Sequence, residues 1–180
     1  MVNEIEEHIL TIIYSLIKRA QLPTADENNK KRLVNKFIES NYEKTERLIE
    51  LHFKYHEKLV KCEQQISKEK AKLIATDEEF DEEQFFMRKL SEGLFTLQLI
   101  DLVIIHICAM HEQILSQKDA AQEGPSTHES IKLKVMKIIN YHANEKVNHY
   151  TAIKKVVREH SDELANEADK TRILQLLEEF

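Results

Sequence analysis

The stretch Leu94–Met110, LFTLQLIDLVIIHICAM, decides the fold. It is apolar around nearly its whole circumference, and Asp101 and His106 are its only strongly polar interruptions. A membrane span needs about 20 predominantly apolar residues; this run is shorter and carries a carboxylate in its middle. A helix that is apolar all round and lies outside lipid has to be wrapped by other helices. The run therefore predicts a packing module organised around one long buried helix.

Composition points the same way. The chain has 180 residues, enough for one globular domain with a sizeable core. Two glycines (Gly93, Gly124) and two prolines (Pro23, Pro125) are too few for the tight hairpins of an all-β fold. Leu, Ile, Lys and Glu recur at helical spacing, which predicts an all-α chain. A net charge of −6 argues against direct nucleic-acid binding, because phosphate contacts need clustered Lys and Arg. Cys62 and Cys108 are isolated, as expected of a reducing compartment without a disulfide framework. The acidic, amphipathic opening MVNEIEEHIL carries no hydrophobic signal segment, and no membrane association is expected.

Outward from the central run, the periodicity predicts a first helix over Val2–Ala20, with Ile5, Ile9, Ile12, Ile13, Leu16 and Ile17 as an apolar stripe facing the core. A second helix, about Asp26 to Ile38, follows the break at Pro23. Ser40 and Glu43 have capping-box spacing and open a long helix to about Ala75, whose polar second half, CEQQISKEKAKLIA, is expected to project into solvent. The central helix itself is expected from about Gln84 to Ser116. Gly93 inside it costs about 1 kcal/mol relative to alanine, a cost accepted where a neighbouring helix comes close. The boundaries expected are a helical segment over 1–116, a polar linker over 117–127, and a three-helix capping unit over 128–180, with helices at about His128–Asn148, Tyr150–His160 and Asp169–Glu178.

Few residues suggest chemistry. His52 and His56 share a helix face at a spacing that can hold a metal, but Phe53 breaks the zinc-protease pattern, and the neighbouring Glu57 points elsewhere. Asp101 and His106 are five apart, diverge on the helix, and are each expected to hydrogen-bond a different neighbour. No phosphate-binding loop, dinucleotide fingerprint, nucleophile elbow or paired-cysteine motif is present, so no catalytic, cofactor or metal residue is assigned and an enzyme is not expected. The acidic run Asp77, Glu78, Glu79, Asp81, Glu82 and Glu83 reads either as a solvated helix start or as a docking site for a Lys/Arg-rich peptide.

Several strings then resemble a known family. RLIELHFKYHEKL (Arg47–Leu59), EEQFFMRKLSEGLFTLQLIDLVIIHIC (Glu82–Cys108), KKRLVNKFIESNYEKTERL (Lys30–Leu48) and RILQLLEEF (Arg172–Phe180) resemble the C-terminal region of the β-catenin-like protein 1 family. The resemblance runs in order along nearly the whole chain and departs from the pattern between Ser116 and Glu129. It implies a nuclear armadillo/HEAT-like α-solenoid protein, a non-enzymatic scaffold of pre-mRNA splicing associated with the spliceosomal NineTeen complex. It also implies partners that present basic localisation-type segments, among them the cell-division-cycle-five-like splicing factor and, in vertebrates, the activation-induced deaminase. Family members are much longer, and this chain resembles the end of their solenoid. A terminal unit covers the apolar end of such a stack, so a surface around Ile5, Ile9 and Ile12 is expected to be adhesive toward protein partners or a second copy. The alternative is a metal-dependent helical-bundle enzyme using His52 and His56.

Overall fold

A computed structural model describes residues 2–76, 81–120, 129–142 and 147–180, and all regular structure in them is helical. The order is α1 (Val2–Ala20), α2 (Glu27–Ala75), α3 (Glu82–Ser91), α4 (Leu94–Ala120), α5 (Ile131–Tyr141), α6 (His149–Asp162) and α7 (Glu167–Glu179). Local chemistry sets the starts. Asp26, Asp81, Ser130, Asn148 and Asn166 each sit in extended backbone and accept a hydrogen bond from a first-turn N–H of α2, α3, α5, α6 and α7 respectively.

The axis of the fold is α4. It is buried without interruption from Thr96 to His111, and α1, α2, α3, α5, α6 and α7 all touch it. Over Leu94–Gln117 it is long and apolar enough to cross a membrane, yet 89% of the apolar 18-residue window within that span is buried inside the protein. One hydrophobic core unites Leu10 and Ile17 of α1, Ile49 and Tyr55 of α2, Ile100, Val103 and Met110 of α4, and Ile153, Ile173 and Phe180 near the C-terminus. Helices on both sides of the expected linker thus share one interior. Residues 121–128, which include the greater part of that linker, lie outside the described residues, as do 143–146.

Three expectations are corrected. The central helix does not start at Gln84 and run through; it is divided into α3 and α4 at Glu92 and Gly93. Gly93 has φ +101, where only glycine is unstrained, and a Cβ there would stand 2.6 Å from Cδ1 of Tyr55. Close approach is indeed one reason for a glycine, and the left-handed backbone at Gly93, which breaks the helix, is the other.

The polar half of α2 is not bare. Cys62 and Ile66 form a second, smaller core with Phe85 of α3, and Lys89–Glu63, Arg88–Glu69 and Lys70–Glu82 ion pairs flank it at 2.5–2.9 Å. The expected boundary at Ser40 is a sharp bend inside α2. Ser40, Asn41 and Tyr42 take left-handed φ values of 54, 55 and 66, so Ser40 lacks the extended backbone of a helix cap. Buried Thr45 bridges the bend through Oγ1 to the Phe37 carbonyl at 2.9 Å, and the Tyr42 hydroxyl donates to the carbonyl of Glu129.

Gly93→Ala is expected to destabilise the protein by about 2–4 kcal/mol, combining a left-handed L-residue with overpacking against Tyr55. The midpoint of urea unfolding reads this directly.

Candidate functional site

Two surfaces and one buried cluster are built from residues that the fold leaves unexplained. On α1 the apolar residues divide into two faces. Leu10 and Ile17 are buried, with Ile13 and Tyr14 packed beside them. Ile5, Ile9, Ile12 and Leu16 recur every three or four residues on the other side and are 59%, 51%, 60% and 51% exposed. The expectation that the whole stripe faces the core is therefore corrected: it is wider than one contact with α4 can cover. The adhesive surface expected around Ile5, Ile9 and Ile12 is exposed. At Leu16 the row runs into an open groove of about 870 Å³ between the end of α1 and the start of α2, lined by Ala20, Leu22 and Leu33 and by the charged residues Arg19, Arg32, Lys36 and Asp26.

The acidic run is the second surface. Asp77, Glu78 and Glu79 fall outside the described residues. Asp81 caps α3 by accepting from the Glu83 N–H at 2.9 Å, and Glu82 pairs with Lys70 at 2.5 Å.

The buried cluster joins α2, α4 and α6. His52 Nδ1 donates to Asp101 Oδ1 at 2.6 Å, with both side chains fully buried. His52 Nε2 faces His149 Nδ1 at 3.3 Å. His56, one turn along α2, lies with its ring centroid 5.5 Å from that of His52 and 5.2 Å from that of His149. Phe53 walls the group, its centroid 4.6 Å from His149 and 5.2 Å from His142. Burial pushes His149 down to about 4, helped by the neighbouring imidazoles of His52, His56 and His142. Burial likewise lowers His56, with His52 adding to the effect and Asp101 and Glu63 opposing it. Glu57 is turned away and pairs with Lys61 at 2.6 Å. As placed, no three His, Cys, Asp or Glu side chains among the described residues form a ready metal site.

Asp101 and His106 do separate as expected. His106 Nδ1 donates to the Gln21 side-chain oxygen at 2.9 Å, and burial holds its ring down to about 4. Sequence reading missed His149, which lies 97 positions from His52. No spacing rule links residues so far apart; the histidines at both ends of YHANEKVNHY (Tyr141–Tyr150) are the one local signal.

Because His149, His56 and His106 are held neutral in the fold, the unfolded chain binds more protons below their ordinary value near 6.5. Stability is expected to fall as pH drops from about 6.5 toward 4, and less steeply in His149→Gln. Urea midpoints across that range measure both.

The chain also has relatives. A family model described as catenin-beta-like, Arm-motif containing nuclear, matches residues 1–140. Beta-catenin-like protein 1 of Homo sapiens is 30% identical over 190 residues, covering 99% of this chain and 29% of the relative. The Bos taurus protein matches to the same extent. The Schizosaccharomyces pombe homolog is 32% identical over 102 residues, covering 57% of this chain and 17% of the relative. The chain thus spans less than a third of the length of these relatives.

Proposed function

This chain belongs to the catenin-beta-like family of Arm-motif containing nuclear proteins, and from that premise we propose that it is a non-enzymatic protein–protein interaction scaffold. In this reading it is the C-terminal module of an armadillo-like factor associated with the spliceosomal NineTeen complex in pre-mRNA splicing. The observation that carries the reading is the exposed row Ile5, Ile9, Ile12 and Leu16. Four aliphatic side chains at helical spacing on a surface helix match what a docked helix or a neighbouring repeat would cover. The family, whose members are described by their Arm motifs and nuclear character, supports a binding role over a catalytic one.

Within the same proposal the acidic run from Asp77 to Glu83 receives basic localisation-type segments of partners. Asp81 and Glu82 already have structural work in the fold, so this role falls chiefly to the rest of the run.

Ile9→Ser with Ile12→Ser is expected to change unfolding stability by no more than about 0.5 kcal/mol, since both side chains are exposed. The same pair should remove most of the capture of splicing factors from nuclear extract. Light scattering on the wild-type chain separates self-association through this face from capture of another protein. Undiminished capture by the double variant would sink the reading.

For the acidic run, neutralising Asp77, Glu78, Glu79 and Glu83 together should weaken binding of a Lys/Arg-rich peptide. Raising salt from 0.05 to about 0.5 M should weaken it similarly, as exposed charge pairs are screened. Fluorescence anisotropy with a labelled peptide measures both.

A further inference from the structure

The outward row of α1 does not end in open solvent. It runs from Ile5 through Ile9 and Ile12 to Leu16, and Leu16 is itself a lining residue of the groove between α1 and α2. At 1.5 Å per residue the row spans about 17 Å. Row and groove form one continuous surface, aliphatic along its length and charged at one end.

The sign of that end follows from which charges are already engaged. Asp26 is the one acidic residue among the described residues lining the groove, and its carboxylate is occupied in capping α2, accepting the Asn28 N–H at 3.0 Å. Lys36 pairs with Glu39 at 3.0 Å. Arg19 and Arg32 are exposed and have neither an ion pair nor a hydrogen bond among the described residues. Arg47 and Arg88, by contrast, pair with Glu50 and Glu69, and Arg172 donates to the Gln21 carbonyl. The start of α2 adds the positive end of a helix dipole. In a chain of net charge −6, the unengaged charge of this groove is positive.

We propose that row and groove together dock an amphipathic helix of a protein partner, one that carries aliphatic residues at helical spacing and Asp or Glu residues in its first turn. This rests on the reading of the α1 row as a docking surface and adds the chemistry of what docks. The partner helix lies antiparallel to α1, which opposes the two dipoles favourably and sets its acidic first turn over the groove. Its aliphatic side chains meet Ile5, Ile9, Ile12 and Leu16, and its carboxylates meet Arg19 and Arg32. A basic localisation-type segment meets like charge here and is turned away. RNA would satisfy the arginines but leave the aliphatic row uncovered, and no aromatic residue among those lining the groove offers a base a stacking face.

The test is fluorescence anisotropy of the full chain with a labelled helical peptide of about four turns, with leucines at i, i+4, i+7 and i+11 and glutamates in its first turn. Saturable one-to-one binding is expected. Arg19→Glu with Arg32→Glu should weaken it about tenfold, and Ile9→Ser with Ile12→Ser at least as much. A peptide with lysines in place of the glutamates should bind the unaltered chain about tenfold more weakly and regain that loss on the arginine variant. All four positions are exposed, and circular dichroism checks that the variants stay folded. Absence of binding, equal affinity for the two peptides, or binding that either double variant leaves intact overturns the proposal. So does a dimer, seen by light scattering, that the isoleucine substitutions dissolve, because the occupant is then a second copy. The docking reading itself is decided separately, by capture from nuclear extract.

Discussion

Burying a helix with no polar side is a demanding constraint. An ordinary amphipathic helix asks for cover along one stripe, whereas α4 asks for it in every direction over the whole span from Thr96 to His111. A single partner helix cannot supply that, so the six other helices among the described residues are arranged around α4 and all of them touch it. The short C-terminal helices are drawn into the same interior as α1 and α2 for this reason. The Tyr150 hydroxyl, bonded to the Phe180 carbonyl at 2.6 Å, ties the last residue into that sheath.

Hydrophobic cover is non-directional and does not say which helix lies where. The polar residues of α4 supply that information. Thr96 bonds Glu7 of α1 at 3.2 Å, Asp101 bonds His52 of α2, His106 bonds Gln21 just after α1, and His111 accepts the N–H of Ile131 at the head of α5 at 3.0 Å. Each buried polar group would cost about 1–3 kcal/mol if left unmade, so a sheath with helices exchanged or rotated loses several such bonds together. Four small polar contacts thereby convert a greasy axis into a defined arrangement. Asp101 carries the most consequence, because its partner His52 opens onto His56 and His149.

The helical class, the buried axis and the bounds of α1 are legible in the sequence because they rest on local signals. These are a period of apolar residues, acidic and basic ends, and a proline just beyond. What is not legible depends on distant partners. The apolar pattern runs on past Gly93, and neither its left-handed backbone nor the ring of Tyr55, far back in α2, that leaves no room there for a Cβ can be read from local signals. The Ser40–Glu43 spacing locates a boundary but not three successive left-handed residues. The division of α1 into inward and outward faces depends on how much of it α4 can cover. His52 and His56 are visible as a pair, while His149 joins them by the packing of α6.

The outward face of α1 is also bounded by energetics. Fully burying an aliphatic side chain of this size is worth about 1.5–3 kcal/mol, and Ile5, Ile9, Ile12 and Leu16 are each already about half covered. The remaining gain from all four is therefore on the order of 4 kcal/mol, near the lower end of the roughly 4–15 kcal/mol lost when two free molecules associate. Such a row holds a freely diffusing partner weakly by itself. Firmer holding needs a neighbour that belongs to the same chain, or one that adds contacts in the adjoining groove, where Arg19, Arg32 and Lys36 outnumber Asp26 among the lining residues. A weak apolar row beside a basic groove is thus suited to a partner that engages both at once, the row contributing apolar burial and the groove setting which partner fits.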